Sequence, residues 1–324
     1  MRTALKVIEL EHLGIVRMHG ADAVKFLQGQ LSNDVAQLSA QRSLLAGYHN
    51  PQGRTIALIR LVQWDTEDIL AVVPRELAIV VASRLSKFVL RAKVKVADES
   101  AAWRVSGLVG AASAGASLTT TVDGARGAGE LRELPASVNA QARSDGAVYV
   151  CVGDQQPRWL VISPANGPSA VLDYPVEDRE TWLRLDVAAG QPQVYAATSE
   201  EFVAQMLNLD ALNAIAFDKG CYTGQEVIAR AHYRGRVKRR MQRFASREPC
   251  QLSPGDSGQL ADGRTFKVVQ AAQLADGRCD FLAVAPLPGA VSEPGDANLK
   301  LAPAAPAAAT LAAEQAALPY PLPD

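Results

Sequence analysis

The stretch from Phe217 to Arg240 reads FDKGCYTGQEVIARAHYRGRVKRR, and it places one cysteine among glycines directly ahead of a basic run. Glycines at positions 220 and 224 allow a tight backbone approach and positive φ angles around Cys221. A nearby ammonium, or the backbone N–H groups of a helix start, would favour the thiolate form of such a cysteine. Cys221 is therefore the candidate reactive cysteine, and the alternative is a small buried residue in a tight turn.

The residues that follow Cys221 become strongly basic. The run from Arg230 to Arg243 contains no acid, and His232 and Tyr233 interleave with its cations. Such a run can hold phosphates or the glutamate tail of a ligand, and the alternative is a solvated strand or hinge. Glu226 is a candidate to accept paired N–H donors from a heterocycle, and the alternatives are that it caps a turn or pairs with Arg230.

Composition limits the class of protein. The chain has 324 residues, with 33 basic against 34 acidic side chains and a net charge of −1. A composition with 48% hydrophobic residues is close to the globular average and excludes a largely disordered chain. The net charge excludes a chain that coats nucleic acid by bulk charge. The four cysteines form no C-x-x-C pair, so no metal site is predicted. The sequence shows neither a signal peptide nor a long apolar run, and the expected location is the cytoplasm.

The first half of the chain predicts a mixed α+β region. Apolar residues recur at helical spacing over Ala21–Leu38, although the Ser32-Asn33-Asp34 cluster marks a break or a new cap. Thr55–Gln63 and Ile69–Val73 are rich in branched apolar residues and predict neighbouring strands. A helix is expected after Pro74. Its expected buried residues are Leu77, Val81, Leu85, Phe88 and Val89.

The segment before Phe217 has two features of its own. Trp182–Val187 alternates in polarity and predicts a strand with Trp182 and Asp186 on one face. Ser199 and the two acids after it predict the cap of a helix. The apolar residues expected in that helix include Phe202, Met206 and Leu209.

After Val237 the pattern changes to short strands and turns. Ala-Asp-Gly-Arg occurs at residues 261–264 and 275–278, and Asp-Gly is a strong hairpin signal. Val237–Leu301 therefore predicts a small β-barrel or sandwich. Pro303–Ala317 is rich in Ala and Pro and predicts a flexible or loosely docked strap. The Leu-Pro-Tyr-Pro-Leu that follows is able to pack back onto the body of the protein.

Taken together, these segments resemble the YgfZ family, whose members are folate-binding proteins related to the aminomethyltransferase (T-protein) of the glycine cleavage system. The resemblance rests first on Lys219–Glu226, which reads KGCYTGQE, and it covers nearly the whole chain. The supporting segments are Phe26–Asp34, Pro51–Arg54, Gln205–Leu209, Ala229-Arg230, Tyr233-Arg234-Gly235 and the Leu-Pro-Tyr ending at 318–320.

The resemblance implies an α+β fold of the T-protein type, with two ferredoxin-like units around a central channel and a C-terminal β-barrel. The expected division is residues 1–236 as the T-protein-like folate-binding region, 237–301 as the barrel and 302–324 as an Ala/Pro-rich tail. The implied cofactor is tetrahydrofolate or another reduced folate, bound in the channel.

The resemblance also implies a function. The chain is expected to be a folate-binding accessory protein that supports the maturation or repair of iron–sulfur enzymes and thereby tRNA modification. Its implied partners are folate and iron–sulfur enzymes or cluster-assembly proteins, with no membrane. Cys221 would be a functional thiol in redox, sulfur or cluster chemistry.

Two alternative functions stay open. One is a tetrahydrofolate-dependent one-carbon transferase or demethylase. Ala57 argues against it, because this residue stands where T-proteins carry the acid that steers aminomethyl transfer. The other is a tRNA-binding protein that uses the cations of Arg234–Arg243.

The folate contacts that the resemblance implies are Trp182, Asp186, Glu226 and Arg230. Trp182 holds the position at which family members place a tryptophan against folate, and the alternative is a tryptophan packed in the core. Relatives often carry an acid where Ala188 stands. Asp186 lies two residues earlier and points to the same side of a regular strand, so it is the candidate replacement for that acid.

Overall fold

The computed structural model describes residues 5–110, 121–123, 131–144, 146–153, 155–167, 175–235, 237–287 and 310–323. The chain divides into two compact units, each assembled from separate segments. Unit 1 comprises Met1–Tyr48, Leu58–Trp182 and Asp218–Tyr222, and unit 2 comprises His49–Ala57, Leu183–Phe217 and Thr223–Asp324. The division expected at residues 236 and 301 stays a prediction.

Strands outnumber helices in these ranges. In chain order the strands are β1 (Lys6–Glu9), β2 (Leu13–His19), β3 (Leu44–His49), β4 (Thr55–Asp65), β5 (Asp68–Pro74), β6 (Lys95–Asp98), β7 (Trp103–Val109), β8 (Thr121–Asp123), β9 (Leu131–Glu133), β10 (Gln141–Ser144), β11 (Ala147–Gly153), β12 (Arg158–Pro164), β13 (Arg239–Ser246), β14 (Ser257–Leu260), β15 (Thr265–Gln273), β16 (Cys279–Pro286), β17 (Thr310–Leu311) and β18 (Ala313–Ala316). The α-helices are α1 (Ala23–Gln28), α2 (Arg75–Ser86), α3 (Arg179–Ala188) and α4 (Gln225–Arg234). None of the helices in the described ranges has the length and apolar character needed to cross a membrane.

Two five-stranded sheets, drawn mainly from unit 1, carry the first part of the fold. Their strand orders are β1-β7-β12-β11-β10 and β3-β4-β5-β2-β6. The predicted strands at 55–63 and 69–73 are confirmed as β4 and β5, which pair antiparallel. Helix α2 turns Leu77, Val81 and Leu85 inward, as predicted. Phe88 was expected to be buried with them but is 53% exposed. Helix α2 ends at Ser86, so helical spacing does not bring Phe88 onto the buried face.

The apolar stripe predicted over Ala21–Leu38 is interrupted where its polar cluster lies. Helix α1 ends at Gln28, and a short 3₁₀ turn follows at Val35–Gln37. The Asp34 side chain caps this turn by accepting from the backbone N–H of Ala36 at 3.3 Å. The break and the new cap are therefore both confirmed, and the break exposes backbone carbonyls to other partners.

The C-terminal part of unit 2 is a six-stranded sheet in the order β17-β14-β15-β16-β13-β18. Its two edge strands, β17 and β18, are separated in the chain only by Ala312, so the sheet curls until it is nearly a closed barrel. Both Ala-Asp-Gly-Arg turns join neighbouring strands as predicted, with Gly263 and Gly277 at φ of 85° and 84°. The interior is filled by a buried cluster that includes Phe244, Phe266 and Phe281.

Three predictions were wrong in this half of the chain. Residues 310–311 and 313–316 are strands β17 and β18, so this part of the expected strap is integral to the sheet. The helix expected after Ser199 is only a 3₁₀ turn at Ala204–Leu207, because Asn208 turns left-handed at φ 56° and ends it. By contrast, the prediction that the final Leu-Pro-Tyr packs back onto the protein is confirmed, since the Tyr320 hydroxyl donates to the Gly190 carbonyl at 2.7 Å.

The strand predicted over Trp182–Val187 was the third error, because this segment lies within helix α3. Alternation put Leu183, Leu185 and Val187 on one side, but Leu183 and Val187 are also one helical turn apart and both are buried. The choice is made upstream, where Asp178 accepts from the Thr181 backbone N–H at 2.8 Å in the manner of a helix N-cap.

Candidate functional site

The loop that carries the signature is anchored by Lys219. Its ammonium donates to the backbone carbonyls of Gln28, Leu31 and Asn33 at 2.7, 2.6 and 2.8 Å. These carbonyls lie along the break between α1 and the 3₁₀ turn, and they take up all three N–H donors of the ammonium. Burial lowers the pKa of Lys219 to about 8, and the charge of Asp34 acts in the opposite direction.

Cys221 lies two residues beyond this anchor and is exposed. The alternative interpretation of Cys221 as a small buried residue is therefore wrong. Lys219 donates to backbone carbonyls, and its ammonium lies 5.1 Å from the Tyr222 ring centroid. An ammonium beside the thiol of Cys221 stays a prediction. The three hydrogen bonds of Lys219 therefore hold in place the loop that carries the exposed thiol of Cys221.

The other three cysteines are in different surroundings. Cys151 and Cys279 are buried and Cys250 is half-buried. The Cys279 thiol donates to the Cys250 carbonyl at 3.2 Å. The structural interpretation of Cys151 and Cys279 is thus confirmed. In the described part of the chain, no group of three or more His, Cys, Asp or Glu side chains is placed to hold a metal ion.

Two glycines bring the start of α4 against the turn between β3 and β4. Gly224 precedes the helix at φ 83°, and a Cβ there would lie 2.6 Å from the Asn50 carbonyl oxygen. Gly53 has φ 72°, and a Cβ there would lie 3.0 Å from Val227. Side chains at either position would be strained and would also separate the two segments. The structure therefore joins two parts of the family resemblance that are far apart in sequence.

Asn50 organises that turn. Its Oδ1 accepts from the backbone N–H groups of Gln52 and Arg54, both at 3.0 Å, and its Nδ2 donates to Glu200 at 2.9 Å. Arg54 in turn donates to the carbonyl oxygens of Glu200 and Glu201. Sequence reasoning missed this network, because Glu200 lies far along the chain and nothing in its local pattern points to Asn50.

Glu226 and Arg230 lie one turn apart on α4 and form an ion pair at 3.1 Å. The two side chains are 86% and 72% exposed, so the pair contributes less than about 1 kcal/mol to stability. The interpretation that they pair with each other is confirmed. Their role as folate contacts stays a prediction.

Trp182 is packed in the core of unit 1, with 3% of its surface exposed. A Cβ at Gly107 would lie 2.5 Å from its ring, and the guanidinium carbon of Arg158 lies 5.1 Å from a ring centroid. These contacts match the core tryptophan that the sequence left as an alternative. Contact between Trp182 and folate stays a prediction.

Asp186 is half-buried on α3, one helical turn after Trp182. The two residues share a face, as expected, but by helical rather than strand geometry. Asp186 and Ala188 do not share a face, because two residues along a helix correspond to about 200° of rotation. Asp186 is therefore not placed by helix geometry to replace an acid at Ala188, and a folate contact by Asp186 rests on the resemblance alone.

The basic run is not one continuous surface. Arg240 is almost fully buried and pairs with Asp210 through two hydrogen bonds of 3.0 and 2.9 Å. Arg243 lies 3.6 Å from Asp280 on the neighbouring strand β16. Arg239, Arg240 and Arg243 are residues of strand β13 and have side-chain partners, whereas Arg230 and Arg234 on α4 are exposed. Arg236 lies outside the described residues.

Three aromatic side chains meet beside the end of α4, and we call Phe217, His232 and Tyr233 the aromatic corner. The rings of Phe217 and His232 are stacked, with centroids 3.8 Å apart and an interplanar angle of 14°. Tyr233 stands at 76° to His232 and 70° to Phe217. The sequence showed His232 and Tyr233 among the cations, but no spacing rule places Phe217 against them.

The chain matches no family model. Among solved structures, its fold is similar to that of the glycine cleavage system aminomethyltransferase T from Bartonella henselae. The TM-score is 0.64 at 13% identity, covering 88% of this chain and 79% of that protein. This likeness confirms the predicted α+β fold of the T-protein type. The chain is thus a protein of the aminomethyltransferase-like class by fold.

Sequence relatives define it further. The tRNA-modifying protein YgfZ of Pectobacterium carotovorum subsp. carotovorum (strain PC1) is 32% identical over 280 residues, which cover 84% of this chain and 80% of that protein. The protein of the same name from Pectobacterium atrosepticum is also 32% identical, over 85% of this chain and 81% of its own length. The chain belongs to the YgfZ family, as the KGCYTGQE segment predicted.

Proposed function

We propose that this chain is a folate-binding accessory protein that supports the maturation or repair of iron–sulfur enzymes and thereby tRNA modification. Its relatives are named as tRNA-modifying proteins, and its fold is similar to that of an aminomethyltransferase. The observation that carries the proposal is the exposed Cys221 on a loop that Lys219 anchors with three hydrogen bonds.

An exposed thiol on a fixed loop suits transient contact with a partner protein. It can exchange with a disulfide, carry sulfur, or donate one thiolate to a cluster. A cluster commonly takes four cysteine ligands, so in a cluster contact the partner would supply the remaining ones. All three forms of chemistry require the sulfur of Cys221, and none of them tolerates a hydroxyl in its place.

We expect a Cys221→Ser variant to fail in a bacterial strain whose own family member has been deleted. The measured quantities are the activity of an iron–sulfur enzyme that thiolates tRNA and the level of thiolated tRNA. Both should stay near those of the empty deletion strain, because serine keeps the size of the side chain but removes the sulfur chemistry.

Cys250→Ser is the matched control, since Cys250 is half-buried and lies in the barrel rather than on the signature loop. This variant should restore both quantities. Full restoration by Cys221→Ser, at equal protein level, would end the thiol hypothesis.

The folate part of the proposal rests on the family resemblance, the T-protein-like fold and the chemistry of the predicted contacts. Arg230 offers an exposed cation for the glutamate tail, and Glu226 and Asp186 offer carboxylates for the paired N–H donors of a pterin. Reduced folate, when bound, supplies a flat heterocycle and a one-carbon carrier. The residues present therefore fit the group.

Titration with tetrahydrofolate should quench the intrinsic tryptophan fluorescence. We expect the quenching to disappear in Trp182→Phe and to persist in Trp64→Phe, a control at a half-buried tryptophan of the same unit.

Asp186→Asn should weaken binding by about tenfold, because a hydrogen bond to a charged group is lost. Absence of any measurable affinity would remove folate from the proposed function, and unchanged affinity in Asp186→Asn would remove that residue.

The alternative of a one-carbon transferase or demethylase has less support. Ala57, which stands at the position of the expected acid, is fully buried on β4 and offers only a methyl group. A carboxylate placed there would need a partner to offset its burial. The accessory role is therefore the function that the residues favour.

A further inference from the structure

The aromatic corner is exposed where aromatic stacks are usually covered. Tyr233 is 68% exposed, His232 is exposed and Phe217 is half-buried. Within the same unit, the stack of Phe244 and Phe281 in the barrel has at most 1% exposure. The barrel stack is explained by core packing, whereas burial does not explain the aromatic corner.

The rings of the aromatic corner form two walls. Phe217 and His232 are nearly parallel, and Tyr233 is nearly perpendicular to both, at 70° and 76°. The ring of Tyr233 is mostly exposed, and a flat ligand that stacks on it makes a contact that aromatic rings favour. The corner therefore suits a planar heterocycle better than an aliphatic side chain.

Cations outnumber acids in the sequence around the corner. The acids are Asp218, which directly follows Phe217 and is exposed, and Glu226, which pairs with Arg230. Arg234 follows Tyr233 directly, Arg230 lies one helical turn earlier, and both are exposed. The sequence holds no acid from Val227 to Arg247. Planar rings beside cations match a polymer of flat bases and phosphates, which stacks and neutralises charge at once. A protein partner of ordinary composition would match only one of these two features.

We propose that the aromatic corner stacks one unpaired base of an RNA strand, while Arg234 contacts an adjacent phosphate. This inference deepens the tRNA part of the proposed function by naming the residues that would contact RNA. It also moves the RNA contact from the strand cations at 239–243, whose side chains have partners within the chain, to the exposed end of α4. The site requires single-stranded RNA, because a paired base is not free to stack on a side chain.

The test measures the fluorescence anisotropy of a labelled oligouridine with the full-length chain at low and at physiological salt. Tyr233→Ala should weaken binding by about tenfold, and Tyr233→Phe should retain it, because stacking needs the ring and not the hydroxyl. Arg234→Ala should weaken binding and also reduce the slope of affinity against salt by about one phosphate contact.

Phe88→Ala is the matched control. Phe88 is also an exposed aromatic residue, with Lys87 and Arg91 close to it in sequence, but it lies outside the aromatic corner. Its affinity for oligouridine should equal that of the unchanged chain. Equal affinity for Tyr233→Ala and the unchanged chain, equal losses in Tyr233→Ala and Phe88→Ala, or no affinity at all would each overturn the proposal.

Failure of the aromatic corner to bind RNA can be told apart from failure of the proposed folate and Cys221 functions. Loss of oligouridine binding in Tyr233→Ala supports the corner even if tetrahydrofolate does not bind. Conversely, a chain that restores thiolated tRNA through Cys221 but shows no Tyr233-dependent binding overturns the corner alone. Unfolding midpoints of the variants should match that of the unchanged chain, because Tyr233 is exposed.

Discussion

Asp210→Ala should lower the free energy of unfolding by about 3–5 kcal/mol. The change leaves the Arg240 guanidinium buried, with 3% of its side chain exposed, and removes both of its hydrogen bonds to the Asp210 carboxylate. Among the described residues, its bond to the Gln205 carbonyl, at 3.1 Å, would remain. A buried charge without its counterion is among the most costly defects in a folded chain. Chemical denaturation followed by circular dichroism measures the loss.

Glu314→Ala is the matched control, because Glu314 pairs with Arg247 in the same unit at the same distance of 2.9 Å. That pair is 66% and 65% exposed, and its loss should cost less than about 1 kcal/mol. The double change of Asp210→Leu with Arg240→Met should recover much of the stability, since it removes both charges. A loss below about 1 kcal/mol in Asp210→Ala would contradict the importance assigned to this pair.

Lys219→Met should lower the free energy of unfolding by about 2–4 kcal/mol. Three carbonyl oxygens, those of Gln28, Leu31 and Asn33, lose their charged donor at once. Each such hydrogen bond contributes about 1.5–3 kcal/mol, and the total is reduced because the site is half-buried and water replaces part of what is lost. The loop that carries Cys221 should also become more sensitive to proteolysis.

Lys25→Met is the control for this change, since Lys25 is an exposed lysine on α1 and should alter stability little. The pH dependence adds a second test. Burial lowers the pKa of Lys219 from 10.5 to about 8, so between these values the unfolded chain holds more protons. The stability of the unchanged chain relative to Lys219→Met should therefore rise from about pH 8 to 10. A difference that stays flat or shrinks over that range would contradict this assignment.

Local signals account for the parts of the fold that sequence reasoning reached unaided. Asp-Gly predicted both barrel hairpins because the conformation that glycine adopts there, at φ of 85° and 84°, depends on the turn alone. The Ser32-Asn33-Asp34 cluster predicted the break after α1 because the cap that Asp34 makes involves only neighbouring residues. The T-protein arrangement came from the family resemblance, since periodicity indicated only a mixed α+β region.

What the sequence could not supply were interactions between distant residues. Trp182–Val187 satisfies both a strand period and a helix period, and the Asp178 cap that decides between them lies outside the segment. The basic run could be counted, but its division into buried and exposed cations depends on Asp210 and Asp280. The role of Lys219 likewise depends on carbonyls that no side-chain pattern reveals.

Strands β17 and β18 cover opposite edges of the barrel sheet, although only Ala312 separates them in the chain. A single proteolytic cut ahead of Thr310 would therefore uncover two rows of unpaired backbone groups together, on β14 and on β13. Uncovered edges recruit strands from other chains. A chain shortened in this way is expected to aggregate, because the segment that completes the fold is also what shields it from its own copies.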